Sequence, residues 1–162
     1  MNAYVDALKL LARRELSEAQ VRERLARRGH ASDAIDDAVA RLREERAIDD
    51  ARVAETIARR EMGRRRGRNR VQLQVERAGI RKDVARRTVD NVFDSIEDEA
   101  LLEASLAKRL RGRDAIADDR ELKRLYRYLI AQGFDHDRVV RALERRTAHA
   151  PDEEFASKRA KR

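Results

Sequence analysis

Seven arginines fall within twelve residues: Arg59, Arg60, Arg64, Arg65, Arg66, Arg68 and Arg70, with Glu61 the only acid among them. A guanidinium presents a rigid fork of donors that matches phosphate or carboxylate geometry. A run this dense therefore suits a phosphate backbone or the acidic surface of another protein. The competing reading is a solvated turn. No aromatic residue interleaves with the arginines, which argues against reading single-stranded bases by stacking. Gly63 and Gly67 interrupt the run, and on this reading they keep it pliable.

The other chemistry-bearing residues do not assemble a catalytic set. Asp36-Asp37, Asp49-Asp50 and Asp118-Asp119 are the carboxylate pairs a two-metal nuclease would need. Two of these pairs stand directly before helix starts, where a side-chain oxygen caps orphan N–H groups. No pair has an accompanying His, Asn or Lys constellation. His30, His136 and His149 lack ligand spacing to one another. Gly63-x-x-x-Gly67 is followed by Arg-Asn rather than Lys-Ser/Thr and follows no strand, so it is not a phosphate loop. With no cysteine in the chain, thiolate chemistry and disulfides are excluded. We expect no catalysis, no cofactor and no metal. An acidic stretch, Asp94, Glu97, Asp98, Glu99 and Glu103, fits charge placed at a helix N-terminus. It could also face the arginine cluster of a neighbouring protein or of the chain itself.

The basicity is aimed rather than spread. The chain carries 39 Lys+Arg against 31 Asp+Glu, a net +8. Residues 51–96 hold 13 basic and 6 acidic side chains, whereas residues 1–50 hold 10 and 11, and residues 97–147 hold 12 and 11. The last fifteen residues hold 4 and 3. Leu, Ile, Val and Phe together number 36 of 162 residues, too few for a thick globular core. No apolar run approaches the roughly 18 residues of a membrane span, and Met1 to Leu11 lacks the features of a secretory signal. A cytoplasmic protein without a membrane segment is the expectation.

Elements that position these residues follow from an internal repeat. With 26 alanines, six glycines and Pro151 as the single proline, the composition forms helices. Gly29, Gly79 and Gly133 share a local context. Val21, Val71 and Leu125 stand eight residues before them, and Leu25, Val75 and Leu129 four before. Ile35, Ala85 and Val139 follow at six residues, and Val39, Val89 and Leu143 at ten. Leu42, Val92 and Arg146 follow at thirteen, Arg146 being the sole polar member. This is one face of a helix, a left-handed glycine cap, and one face of the next helix. A further helix precedes each pair, marked by Leu8 and Leu11, by Val53 and Ile57, and by Leu102, Leu106 and Leu110. Ser17-x-x-Gln20 is a capping box, and Ser32-Asp33 marks another start.

The spans expected are 2–14, 17–28, 32–46, 50–62, 67–78, 82–95, 97–111, 119–132 and 136–147. The fold class is all-α, with three tandem three-helix repeats at 1–49, 50–96 and 97–147 forming an elongated, curved solenoid. A disordered basic tail, 148–162, ends it.

The run Ile48-Asp49-Asp50, Ala54, Gly67-Arg68, Val71, Val75 and Gly79-Ile80 resembles the landmarks of the RecX regulators of the RecA recombinase. Lys123-Arg124, Leu129, Gly133-Phe134 and Val139 resemble the family's third repeat, and the similarity covers roughly residues 4–147. Val53 stands where an aromatic is common, Val75 where Leu is usual, and Ala78 where a basic residue often precedes the glycine.

The resemblance implies a monomeric, non-enzymatic protein that docks on the RecA–DNA filament and lowers its recombinase, ATPase and coprotease activities in DNA repair and the SOS response. It implies contacts from the middle and third repeats: Arg59, Arg60, Arg64, Arg65, Arg66, Arg68, Arg70, Lys82 and Arg86, then Lys123, Arg124 and Arg127. Asp49, Asp50, Gly67, Gly79 and Gly133 would be structural. Single- and double-stranded DNA would bind weakly through the basic middle repeat. The alternative is a sequence-nonspecific DNA-binding helical protein whose trihelical units act like helix-turn-helix modules.

Overall fold

A computed structural model describes residues 2–94 and 98–147 of the chain. Among them run nine α-helices: α1 (Ala3–Leu11), α2 (Glu18–Arg27), α3 (Ser32–Glu44), α4 (Asp50–Gly63), α5 (Arg68–Arg77), α6 (Lys82–Asp94), α7 (Asp98–Leu110), α8 (Asp119–Ala131) and α9 (His136–Glu144). All the expected helices are present, each within three residues of its expected ends. One isolated parallel bridge, Ile116 to Thr147, is the only strand-like pairing among the described residues. The basic tail, and Glu97 of the acidic stretch, lie outside them.

Every apolar position that the repeat pattern spaces around Gly29, Gly79 and Gly133 is buried, from Val21 and Leu25 to Val139 and Leu143, and the three glycines adopt φ of +82°, +78° and +90°. The described residues form two compact units, residues 2–61 with 71–94, and residues 62–70 with 98–147.

In the first unit, α1, α2 and α3 pack on one another around Val21, Leu25, Ile35, Val39 and Leu42. The seam of α1 differs from the expected one. Ala3 and Ala7 are buried, Leu11 is half-buried, and Leu8 is 39% exposed. Two alanines four residues apart let the helix come close, and Leu8, one residue on, points about 100° around the axis. Ile57 on α4 is likewise only half-buried, while Val53, Ala54 and Ala58 form the buried stripe.

The capping box at Ser17 forms in both directions: Gln20 N–H donates to Ser17 Oγ (3.2 Å), and Ser17 N–H donates to Gln20 Oε1 (3.4 Å). The start at Ser32 works differently. Ala31 is the N-cap and makes no side-chain bond, so Asp33 in the first turn acts through the helix dipole.

The Asp49-Asp50 pair divides its labour. Asp49 Oδ1 accepts from the N–H groups of Ala51 (2.9 Å) and Arg52 (3.1 Å), capping α4, whereas Asp50 Oδ1 accepts from Glu18 N–H (2.9 Å) at the start of α2. The turn at Gly79 seats on the same helix start. Ser17 Oγ donates to the Ala78 carbonyl, and a Cβ at Gly79 would collide with Ala19 Cβ.

In the second unit, α7, α8 and α9 pack around Leu102, Leu106, Leu110, Leu125, Leu129, Phe134, Val139 and Leu143. Asp118 caps α8 by accepting from Glu121 N–H (2.7 Å), and Asp135 caps α9 by accepting from Arg138 N–H (3.1 Å).

Candidate functional site

The arginine-rich turn is built by helix endings and one close backbone approach. After α4 the chain turns through Arg65 in the left-handed region (φ +59°), whose N–H donates to the Met62 carbonyl at 2.7 Å. It then lies against the turn between α8 and α9. Gly67 N–H donates to the Gln132 carbonyl (2.9 Å), Asn69 N–H to the Gly133 carbonyl (3.2 Å), and Arg70 Nη1 to the Ala131 carbonyl (2.6 Å). A Cβ at Gly67 would sit 2.5 Å from the Gly133 carbonyl carbon and oxygen and 2.6 Å from Phe134 N. Gly67 is therefore a contact point and not the source of pliability expected from its neighbours. Gly63, by contrast, has open space around it.

This anchoring sorts the arginines. Arg70 is half-buried and holds the α8–α9 turn. Arg68 pairs with Asp98 at 3.6 Å, and Arg138 reaches the same carboxylate at 3.2 Å. Arg64 and Arg65 stand exposed at the apex, and Arg66 is half-buried. Arg59 and Arg60 belong to the first unit, exposed on α4, where Arg59 pairs with Glu55 (2.7 Å) and Arg60 with the buried Glu61 (3.5 Å). Lys82 and Arg86 are exposed on α6 of that unit, Arg86 lying 3.9 Å from Asp90.

Most of the acidic stretch serves the chain's own arginines. Besides Asp98, Glu99 accepts from Arg145 (2.6 Å), and Glu103 from Arg145 (2.8 Å) and Arg146 (2.6 Å). Burial raises the Glu103 carboxyl, and the two guanidiniums more than offset it, so it titrates below the usual range.

On α8, Lys123, Arg124 and Arg127 are exposed. Arg124 lines a groove that sequence reasoning missed, between the C-terminal end of α7 and α8. Its walls are Lys108, Arg109, Arg111, Arg113, Arg124, Leu125 and Tyr128, with Glu121 as the single acid. Arg113 forks onto Glu121 (2.5 and 3.0 Å), and Ala117 N–H donates to it as well (2.9 Å). The fork, followed by the amide, holds the Glu121 carboxyl down to about 2 against its burial. Arg109 stacks on the Tyr128 ring with its guanidinium carbon 4.0 Å from the centroid. Segment counting hid this cluster because the acids of residues 97–147 nearly balance the bases. The signal that was there is a local one: Lys108, Arg109, Arg111 and Arg113 around Gly112 echo the arginines around Gly67.

The histidines are used in packing. His30 Nε2 lies 3.0 Å from Asp6, and His136 Nδ1 lies 2.9 Å from the Tyr126 hydroxyl with the two rings edge to face. Among the described residues no group of three or more His, Asp or Glu is placed to hold a metal ion, and no helix is long and apolar enough to cross a membrane.

Comparison with known proteins places the chain in a family. The family model described as "RecX, first three-helix domain" matches residues 3–42. The Regulatory protein RecX of Chromohalobacter salexigens is 35% identical over 147 residues, covering 90% of each chain. That of Halorhodospira halophila is 33% identical over 149 residues, covering 91% of this chain and 87% of its own. The crystal structure of RecX from Lactobacillus salivarius superposes with a TM-score of 0.70 at 19% identity, over 88% of this chain and 92% of that one. These relatives are named as regulatory proteins rather than enzymes. With such identity along nearly its whole length and the same all-helical fold, the chain belongs to the RecX family.

Proposed function

We propose that this protein is a monomeric, cytoplasmic regulator that binds a RecA-type recombinase filament on DNA and lowers its strand-exchange, ATPase and coprotease activities in DNA repair and the SOS response. The observation that carries the reading is family membership along nine-tenths of the chain. The helices of residues 1–49, 50–96 and 97–147 act in it as three tandem repeats, without catalysis. The exposed apex, Arg64 and Arg65 with Arg66 beside them, is held out from a fixed base at Gly67. Such a base fixes the backbone from which the guanidiniums reach carboxylates or phosphates, so that only side-chain freedom is left to lose. Arg59, Arg60, Lys82, Arg86, Lys123 and Arg127 supply further contacts, and DNA binds weakly through the middle repeat.

ATP hydrolysis by a recombinase filament on single-stranded DNA is expected to fall as the protein is added. Unchanged hydrolysis together with no co-sedimentation overturns the reading. Changing Arg64, Arg65 and Arg66 together to Ala should leave helicity intact and weaken filament binding about tenfold or more, at roughly 0.5 kcal/mol for each exposed charge contact. Unaltered inhibition by that variant would make the apex bystander charge.

A further inference from the structure

We propose that the groove between the end of α7 and α8 is a second nucleic-acid site, one that takes the phosphodiester backbone and that lies outside the arginine-rich turn after α4. Five cations, Lys108, Arg109, Arg111, Arg113 and Arg124, line one concavity of about 890 Å³ with a single carboxylate among them. That carboxylate is already satisfied: Arg113 forks onto Glu121, and Arg124 reaches it at 3.5 Å. Lys108, Arg109 and Arg111 therefore contribute charge that the groove itself does not neutralise.

The simpler account of such a cluster is compensation of the α7 dipole by basic residues in its last turn, and Lys108 and Arg109 stand there. It does not reach the rest. Arg111 and Arg113 lie beyond the helix end, and Arg124 stands in the second turn of α8. Arg111 adopts the left-handed region (φ +52°), as Arg46 and Arg65 do just past the ends of α3 and α4, so its backbone geometry belongs to the helix ending and its side chain alone bears on the groove. The positive potential has an internal reporter in Tyr128. Burial raises its hydroxyl, yet the neighbouring Ser105 side chain and the cations Arg109, stacked on the ring at 4.0 Å, and Lys108 bring it below its ordinary value. A tyrosine moves that way where the surroundings favour an anion.

The lining also selects the kind of anion. Apart from Glu121 the groove's charged side chains are all donors, and the only apolar or aromatic residues lining it are Leu125 and Tyr128. A protein partner is gripped through a buried apolar or aromatic anchor, which this groove has no deep pocket to receive. A ligand of repeated charge with solvent-facing bases needs no such pocket, and its contacts are donors to phosphate oxygens.

The test uses the full chain and no recombinase, so its outcome is independent of the filament reading. The probe is a fluorescein-labelled 20-nucleotide oligo-dT, followed by anisotropy over a range of salt concentrations. Lys108→Gln with Arg111→Gln removes two charges while leaving residue 111 no more strained than arginine makes it. At about 0.7 in the log–log salt slope per phosphate contact on a single strand, the slope should flatten by about 1.4 and binding at 0.1 M salt weaken about 25-fold. Arg13→Gln with Arg27→Gln removes the same charge from exposed positions in residues 1–49, which carry none of the proposed contacts, and should stay within about threefold. Arg124→Gln alone, which keeps the α7 end intact, should weaken binding about fivefold. Equal losses in the groove and control variants, or no loss in either groove variant, would overturn the site. So would competition by poly-glutamate as effective as oligo-dT at equal charge, which would make the groove a surface for acidic protein.

Discussion

Replacing Gly67 with alanine separates two accounts of the arginine-rich turn. If Gly67 were there for pliability, alanine would be tolerated and would gain roughly 0.4–1 kcal/mol by restricting the unfolded chain. The geometry demands the opposite. The added methyl would lie 2.5 Å from the Gly133 carbonyl carbon and oxygen and 2.6 Å from Phe134 N. That is about 1 Å inside the separation of roughly 3.5 Å at which carbon atoms meet. All three obstacles are backbone, so the start of α5 and the α8–α9 turn must move apart. Overpacking of this kind costs about 1–3 kcal/mol. The separation also loosens two backbone bonds, Gly67 N–H to Gln132 and Asn69 N–H to Gly133, worth about 1 kcal/mol each. Less the unfolded-state gain, Gly67→Ala should destabilise the second unit by about 2–4 kcal/mol. Urea unfolding reads this directly, and hydrogen exchange should show faster exchange at the amides of residues 67 and 69. Gly63→Ala is the internal control, since its Cβ meets open space and should stabilise by about 0.5 kcal/mol. Equal, favourable responses at both glycines would refute the docked turn.

Three further outcomes are expected. Gly79→Val should lower stability by about 2 kcal/mol or more, because a β-branched residue at φ +78° is strained and its Cβ meets Ala19; an unchanged melting temperature would contradict this seat. Glu121 has its carboxyl lowered from an ordinary value of 4.5 to about 2, so its contribution is present above pH 4.5 and lost as pH falls toward 2. With its side chain mostly buried but the Arg113 partner half in water, that contribution is about 1–2 kcal/mol, and Glu121→Gln should flatten the acid limb of the unfolding curve by that amount. Asp50→Ala should cost about 1 kcal/mol, measurable by urea unfolding, since it leaves Glu18 N–H at the start of α2 without its acceptor; an effect no larger than that of an exposed substitution such as Asp37→Ala would count against the cross-helix cap.

The candidate site was only partly legible in the chain. The density of arginines between Arg59 and Arg70 marked the turn, since seven like charges with one acid need no partner to be noticed. Which of them are committed could not be read. Asp98 is thirty residues from Arg68, and the Ala131 carbonyl sixty-one from Arg70, and nothing in composition pairs groups that far apart. The groove on α8 escaped for a related reason. Its cations come from α7, the following turn and α8, interspersed with acids that face elsewhere, so a charge count cancels what the fold separates.

What the sequence determined by itself is local in origin. Helix periodicity put Val21, Val75 and Leu129 on buried faces, and the absence of a Cβ made Gly29, Gly79 and Gly133 the left-handed caps. The nine helices among the described residues followed from those two rules, because both depend on contacts within a few residues. The tertiary structure alone decided the use of groups whose partners are distant. Asp49 and Asp50 are identical in type and adjacent, yet one caps its own helix and the other a helix thirty-two residues earlier. Gly63 and Gly67 are equally permissive, yet only one lies against another backbone. Side-chain chemistry limits what a residue can bind, and the fold determines which group is close enough to be bound.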